Sequence, residues 1–149
     1  MSSESWLAAE GKWGPVNILG HGIDLVVVNE LRRWIDDPRN PLLPRCFNQV
    51  ELDEIGDRPD RAERIAGRFA AKEAVLKALG TGFGGGVAFT DVIIHRPPGA
   101  PPQVWLLGGA AQAAETLGVT AWQLSISHAG GMAMASALAL GSDAQERVS

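Results

Sequence analysis

Glu73 and Lys77 stand one helical turn apart in GRFAAKEAVLKALGTG, Gly67 to Gly82, a stretch with a helical apolar pattern that then runs into glycines. A carboxylate four positions before an amine is either an ordinary helix ion pair, which stabilises a helix by about 0.2–0.5 kcal/mol, or part of a cation and phosphate site. Ile65, Phe69, Leu76 and Leu79 form the apolar stripe, and helical projection puts Glu73 on its edge. A half-buried carboxylate there needs a cation, which is Lys77 itself or a metal ion. Asp24 is a second misplaced charge, set in the β-branched run GIDLVVV. It marks a strand end or caps the next helix, or it is a ligand. Gly22 and Gly20, two and four positions back on the same strand face, would leave room beside it for a bulky group. Asp24 and Glu73 together meet the carboxylate requirement of a Mg²⁺ site that handles phosphates, and hard oxygen donors suit Mg²⁺ or Mn²⁺. His21, His95 and His128 lie far apart and Cys46 stands alone, so zinc spacing is missing.

Three further features bear on anion binding. Gly80 to Gly85 reads GTGFGG, which matches GxGxxG but follows a helix rather than linking a strand to one, so it is no Rossmann turn. Its backbone N–H groups suit either a helix C-cap or close approach to a phosphate. Ser125-Ile126-Ser127-His128 precedes two glycines, but without a GxSxG elbow it suits phosphate contact or turn capping better than a nucleophilic serine. Arg61, Arg64, Arg68 and Lys72 form a row on the flank opposite Glu73 and Lys77, facing water or an anion.

These groups must be positioned by a small chain. The 149 residues, 46% hydrophobic, suffice for one core and one domain, expected over residues 17–141 between a flexible extension (1–16) and a polar tail (142–149). A net charge of −4 argues against a nucleic-acid surface. The longest apolar run falls far short of the about 20 residues of a membrane span. A single cysteine and a polar, acidic start fit a cytoplasmic protein. Expected elements are a strand at 17–28, a helix at 30–35 capped by Asn29, and an extended stretch kept open by Pro38, Pro41 and Pro44. A helix at 49–55 with an Asn48/Glu51 capping box and then the long helix follow. A hairpin (91–95 and 103–107), a helix at 110–117, a strand at 122–127, a turn at 128–131 and a last strand at 132–140 complete the chain. Ala133, Ala135, Ala137 and Ala139 give that last strand one very small face, suited to packing on a helix. The mixture indicates an α+β fold, a long helix on a small antiparallel sheet.

Gly22-Ile23-Asp24, Arg68-Phe69-Ala70-Ala71-Lys72-Glu73-Ala74 with Lys77 and Gly80-Thr81-Gly82, and Ser125-Ile126-Ser127-His128 together resemble the holo-acyl-carrier-protein synthases, small 4′-phosphopantetheinyl transferases. The likeness runs from about Ile18 to Leu140. It implies transfer of 4′-phosphopantetheine from coenzyme A to a serine of an apo acyl carrier protein, with release of adenosine 3′,5′-bisphosphate. On that resemblance Asp24 and Glu73 hold Mg²⁺ (Mn²⁺ as a substitute), and Glu73 or a metal-bound water takes the serine proton. Lys77 binds phosphate and stabilises the leaving group. Arg68, Gly80, Thr81, Gly82, Gly84, Ser127 and His128 contact the coenzyme, with Arg61 and Arg64 further candidates for its 3′-phosphate. The resemblance also implies a homotrimer with active sites between subunits. Glu30 stands where many members carry a carrier-binding arginine, leaving Arg32 and Arg33 as substitutes. A non-catalytic coenzyme A or nucleotide-binding module of the same fold, or a purely structural trimer, is the competing expectation.

Overall fold

The computed structural model describes residues 16–82 and 85–141. Val16 aside, the expected extension and tail lie outside the described residues, as does Gly84. A 19-residue helix, α4 (Arg61–Leu79), is the axis of the fold, with 13 of its residues buried. The sheet beneath it is antiparallel, in the order β1 (Asn17–Val27), β5 (Met132–Gly141), β4 (Val119–Ala129). Three short helices, α1 (Val28–Ile35), α2 (Leu42–Cys46) and α3 (Gln49–Ile55), lead from β1 to α4. A hairpin of β2 (Val92–His95) and β3 (Gln103–Leu106), followed by α5 (Gly108–Leu117), returns the chain to β4. This is the expected single-domain α+β fold.

Small residues set the distance between α4 and the sheet. Ala133, Ala135, Ala137 and Ala139 of β5 are at most 1% exposed, and Ala70, Ala71 and Ala74 of α4 are fully buried. The approach is closest at β1. A Cβ on Gly20 would lie 1.9 Å from the Ala78 carbonyl oxygen, and one on Gly22 would lie 1.8 Å from that of Ala74. Gly20 and Gly22 therefore do not open space for a ligand beside Asp24; the backbone of α4 fills that space.

Three local expectations are corrected. Residues 42–46 are helical despite their prolines, because Pro41 precedes the helix and Pro44 sits in its first turn, where backbone N–H groups have no intrahelical acceptor. Helix α1 starts at Val28 without an Asn29 cap, since Gly131 O accepts the Val28 N–H at 2.9 Å. Strand β4 extends through Ala129, so His128 belongs to a strand, and the tight turn is Gly130-Gly131, at φ 57° and 77°.

The basic row on α4 also behaves differently from expectation. Lys72 is fully buried with Glu51, Nζ to Oε2 at 2.8 Å, and donates to Val92 O at 2.6 Å and Phe89 O at 3.2 Å. Burial draws its ammonium below the ordinary lysine value, while Glu51 opposes the shift. The Glu51 carboxylate also accepts the Asn48 N–H at 2.9 Å, completing the expected capping box of α3, and the Ile94 N–H at 2.9 Å. One buried pair thus ties α3, α4 and β2 together. Removing one member of such a pair costs about 3–5 kcal/mol, because the other charge stays buried without a partner. Helical projection missed this because α3 and β2 cover a face of α4 that an isolated helix would show to water.

Gly22→Ala should lower stability by about 3 kcal/mol or more, since the obstacle is helix backbone rather than a movable side chain. Urea denaturation checks this; a loss no larger than that of an exposed Gly→Ala control would refute the close-approach account.

Candidate active site

Asp24, near the end of β1, and Glu73, in the fourth turn of α4, line one pocket of about 320 Å³. The β1–α4 contact brings them together across 49 positions of sequence. Val26, Val27, Leu31, Trp34 and Phe69 form its apolar walls, and Glu30 is a third carboxylate in its lining. Lys77 does not pair with Glu73 along the helix. Its Nζ reaches across to β1, 3.1 Å from Asp24 Oδ1 and 2.9 Å from Ile23 O. The Asp24 side chain is 17% exposed and that of Lys77 52%. Glu73 is thereby left without a hydrogen bond or ion pair among the described residues. Burial raises its carboxyl above the ordinary glutamate value, the Asp24 charge adds to the rise, and Lys77 partly offsets it. Two carboxylates that repel each other in one pocket, one of them unpartnered, form a donor set that a hard divalent cation fits.

His128 lies on the α4-facing side of β4, where its Nε2 donates to Glu63 O at 2.8 Å. The proton is thus on Nε2, and Nδ1 is left for another partner. A Cβ on Gly67 would lie 2.8 Å from that Nε2, so the glycine is what allows the imidazole to rest on the helix. Ser127 lines a separate apolar pocket with His128, Leu25 and Met134. Among the described residues, the pocket that Asp24 and Glu73 line includes neither Ser127 nor His128. Gly80 caps α4 at φ 72° and Gly82 stands at φ 55°, and the hydroxyl of Thr81 between them is buried without a partner among the described residues. A buried donor left unmet, in a glycine turn after the helix that carries Glu73 and Lys77, suits an anionic ligand.

Arg68 is not exposed as expected. It is 3% exposed and pairs with Glu54 at 3.1 Å. Behind it lies a feature that sequence reading missed, a second pocket of about 550 Å³ lined by Glu54, Arg58, Arg64, His95, Arg96 and the 97–100 turn. Its members come from α3, the segment between α3 and α4, α4 and the β2–β3 hairpin. Of its members, Arg58 and Arg64 belong to the run of basic residues that the sequence concentrates between positions 58 and 77.

The family model of the 4′-phosphopantetheinyl transferase superfamily matches residues 20–133. A holo-[acyl-carrier-protein] synthase of Desulforudis audaxviator is 45% identical over 130 residues, covering 87% of this chain and 98% of the relative. The acyl carrier protein synthase of Plasmodium yoelii with ADP bound superposes with a TM-score of 0.76 at 31% identity, over 87% of this chain and 100% of that one. The Bacillus anthracis holo-(acyl-carrier-protein) synthase in complex with coenzyme A (3′,5′-ADP) gives 0.68 at 30% identity, over 84% and 98%. The chain belongs to the 4′-phosphopantetheinyl transferase superfamily. Within it, the chain is an enzyme of the holo-[acyl-carrier-protein] synthase kind.

The electrostatics of the carboxylate pair predict a cation effect. Because the folded Glu73 pKa is raised, ionising Glu73 weakens the metal-free fold as pH rises from the unfolded value through the folded one. Mg²⁺ should therefore raise Tm by several degrees near pH 7.5 and less near pH 5, and Glu73→Gln should abolish most of the shift. Differential scanning calorimetry reads both, and an equal Mg²⁺ shift in Glu73→Gln would exclude Glu73 as a ligand.

Proposed function

We propose that this enzyme transfers 4′-phosphopantetheine from coenzyme A to a serine hydroxyl of an apo acyl carrier protein, with Mg²⁺ held by Asp24 and Glu73. The observation that carries this reading is the shared pocket of these two carboxylates, with Lys77 beside them. When bound, the ion supplies charge neutralisation on the diphosphate. Glu73, which lines the reaction pocket, is the group suited to take the proton of the incoming serine. The serine oxygen forms a new bond to the phosphorus bearing pantetheine, and the bond from that phosphorus to the nucleotide breaks, releasing adenosine 3′,5′-bisphosphate. Lys77, its ammonium near the pocket and half exposed, meets a diphosphate oxygen and stabilises the departing charge.

The nucleotide end is assigned to the second pocket, where Arg58, Arg64 and Arg96 present guanidinium groups with Arg68 buried behind them. Guanidinium clusters match phosphate geometry. The carrier approaches over α1, whose Glu30 lines the reaction pocket. Arg32 is already committed to Glu63 at 2.8 Å, which leaves the exposed Arg33 as the better candidate for an acidic carrier surface. Location in the cytoplasm and service to fatty-acid synthesis belong to the same proposal.

Assembly into a homotrimer is supported by the outer face of the sheet. Ile23 and Leu25 are 52% and 57% exposed and Met134 is 39% exposed, on adjacent strands opposite α4. Leu25 and Met134 line both a pocket with Asp24 and Lys77 and a pocket with Ser127 and His128. A second copy covering this face would bury the apolar patch and bring His128 of one protomer towards the carboxylates of another.

Intact-mass analysis of an apo carrier after incubation with enzyme, coenzyme A and Mg²⁺ should show a chelator-sensitive gain of one phosphopantetheine. Glu73→Ala should reduce the rate at least about a hundredfold while retaining coenzyme A binding. Wild-type protein that binds coenzyme A and never transfers would instead support the binding-module reading. Leu25→Glu should shift the sedimentation coefficient from trimer to monomer; a wild-type monomer would remove the interfacial site.

A further inference from the structure

Glu54 is the meeting point of the second pocket. Its Oε2 accepts from Arg68 NH2 at 3.1 Å and from the Arg96 backbone N–H at 3.1 Å, its Oε1 pairs with His95 Nδ1, and its backbone oxygen accepts from Arg64 NH2 at 2.8 Å. The His95 ring is held from its far side by Trp105, centroids 4.3 Å apart. A single residue of α3 therefore fixes two arginines of α4 and the start of the β2–β3 turn. Arg58, Arg64 and Arg96 line a cavity of about 550 Å³, and Glu54 is the one carboxylate among the described residues lining it. The Nε atoms of Arg64 and Arg68 are buried and unpartnered among the described residues, so the guanidinium groups are held in place with donor capacity left over.

We propose that Glu54 is a positioning residue for the doubly phosphorylated nucleotide of the co-substrate: its carboxylate anchors the Arg68 guanidinium and the backbone that carries Arg96, in an arrangement that distinguishes a 3′,5′-bisphosphate from a 5′-monophosphate. The inference rests on the coenzyme A reading above and adds a determinant of selectivity to it. Two effects of Glu54 oppose each other. Its charge repels an incoming phosphate, and its hydrogen bonds preorganise the cations that receive one. Three bonds converging on the carboxylate, one of them from a guanidinium group, make the second effect the larger. The lowered carboxyl pKa of Glu54, produced against burial by the Arg96 N–H, His95 and Arg68, agrees with a carboxylate held in its charged form.

The test is calorimetric titration of adenosine 3′,5′-bisphosphate and adenosine 5′-monophosphate into wild type, Glu54→Gln and His95→Asn, beside carrier modification at saturating coenzyme A. Glu54→Gln should weaken the bisphosphate about tenfold and the monophosphate less than twofold, raising KM for coenzyme A and leaving kcat unchanged. His95→Asn keeps the Arg68 pair and loosens only the turn, so it should weaken the bisphosphate by about threefold even if Glu54→Gln fails to fold. Unchanged or tighter bisphosphate binding in the folded variants overturns the proposal. So does an equal loss for both nucleotides accompanied by a fall in kcat, which marks general damage. Wild type that transfers phosphopantetheine but does not discriminate the two nucleotides sinks this inference and leaves the reaction intact, whereas absence of transfer by wild type sinks the reaction itself.

Discussion

The contact between β1 and α4 is the constraint on which the site depends. Glycine at positions 20 and 22 lets the strand run against the carbonyl oxygens of Ala78 and Ala74, closer than any side chain would permit. Asp24 lies one strand step beyond Gly22 on the same face, and Glu73 and Lys77 flank Ala74 on the helix. Bringing the two backbones together therefore brings the carboxylates together. The alanine face of β5 keeps the rest of the sheet at the same depth, so α4 lies flat across it. A chain with larger residues at these positions would hold the charges apart, and their mutual repulsion would no longer call for a cation.

Helix α4 carries two differently built charge clusters. At Glu73 and Lys77 the groups are only partly compensated: Glu73 has no hydrogen-bond or ion-pair partner among the described residues, and Lys77 pairs with Asp24 of the strand. Earlier on the helix and on another flank, Arg68 and Lys72 are compensated by Glu54 and Glu51 of α3. The fully satisfied Lys72–Glu51 pair, together with the ring of Phe47 under the ammonium, holds α3 and β2 against the helix. A rigid scaffold of that kind is what a transferring site needs, because the reacting groups stay under-compensated only while the frame around them is fixed.

Much of this is legible in the sequence. The period of Ile65, Leu76 and Leu79 marks α4, the alternate alanines of β5 mark its helix-facing side, and Asn48 with Glu51 marks the start of α3. Asp24 and Glu73 stand out because each is a carboxylate in an apolar pattern. The errors have specific causes. Pro44 reads as a breaker unless its place in the first turn is known. The glycines before Asp24 suggest space for a ligand unless the opposing helix is seen. Arg68 and Lys72 read as a wet face because projection treats the helix as if it stood alone.

By itself the sequence determined the elements, the fold class, and which charged residues are out of keeping with their surroundings, since each of these follows from local periodicity and residue type. Tertiary structure alone decided the partners: Lys77 with Asp24 rather than Glu73, Lys72 with Glu51, and Glu54 with Arg68, His95 and Arg96. Pairing of charges depends on distances of a few ångströms between residues tens of positions apart, and only the packing of α4 against the sheet and α3 fixes those distances.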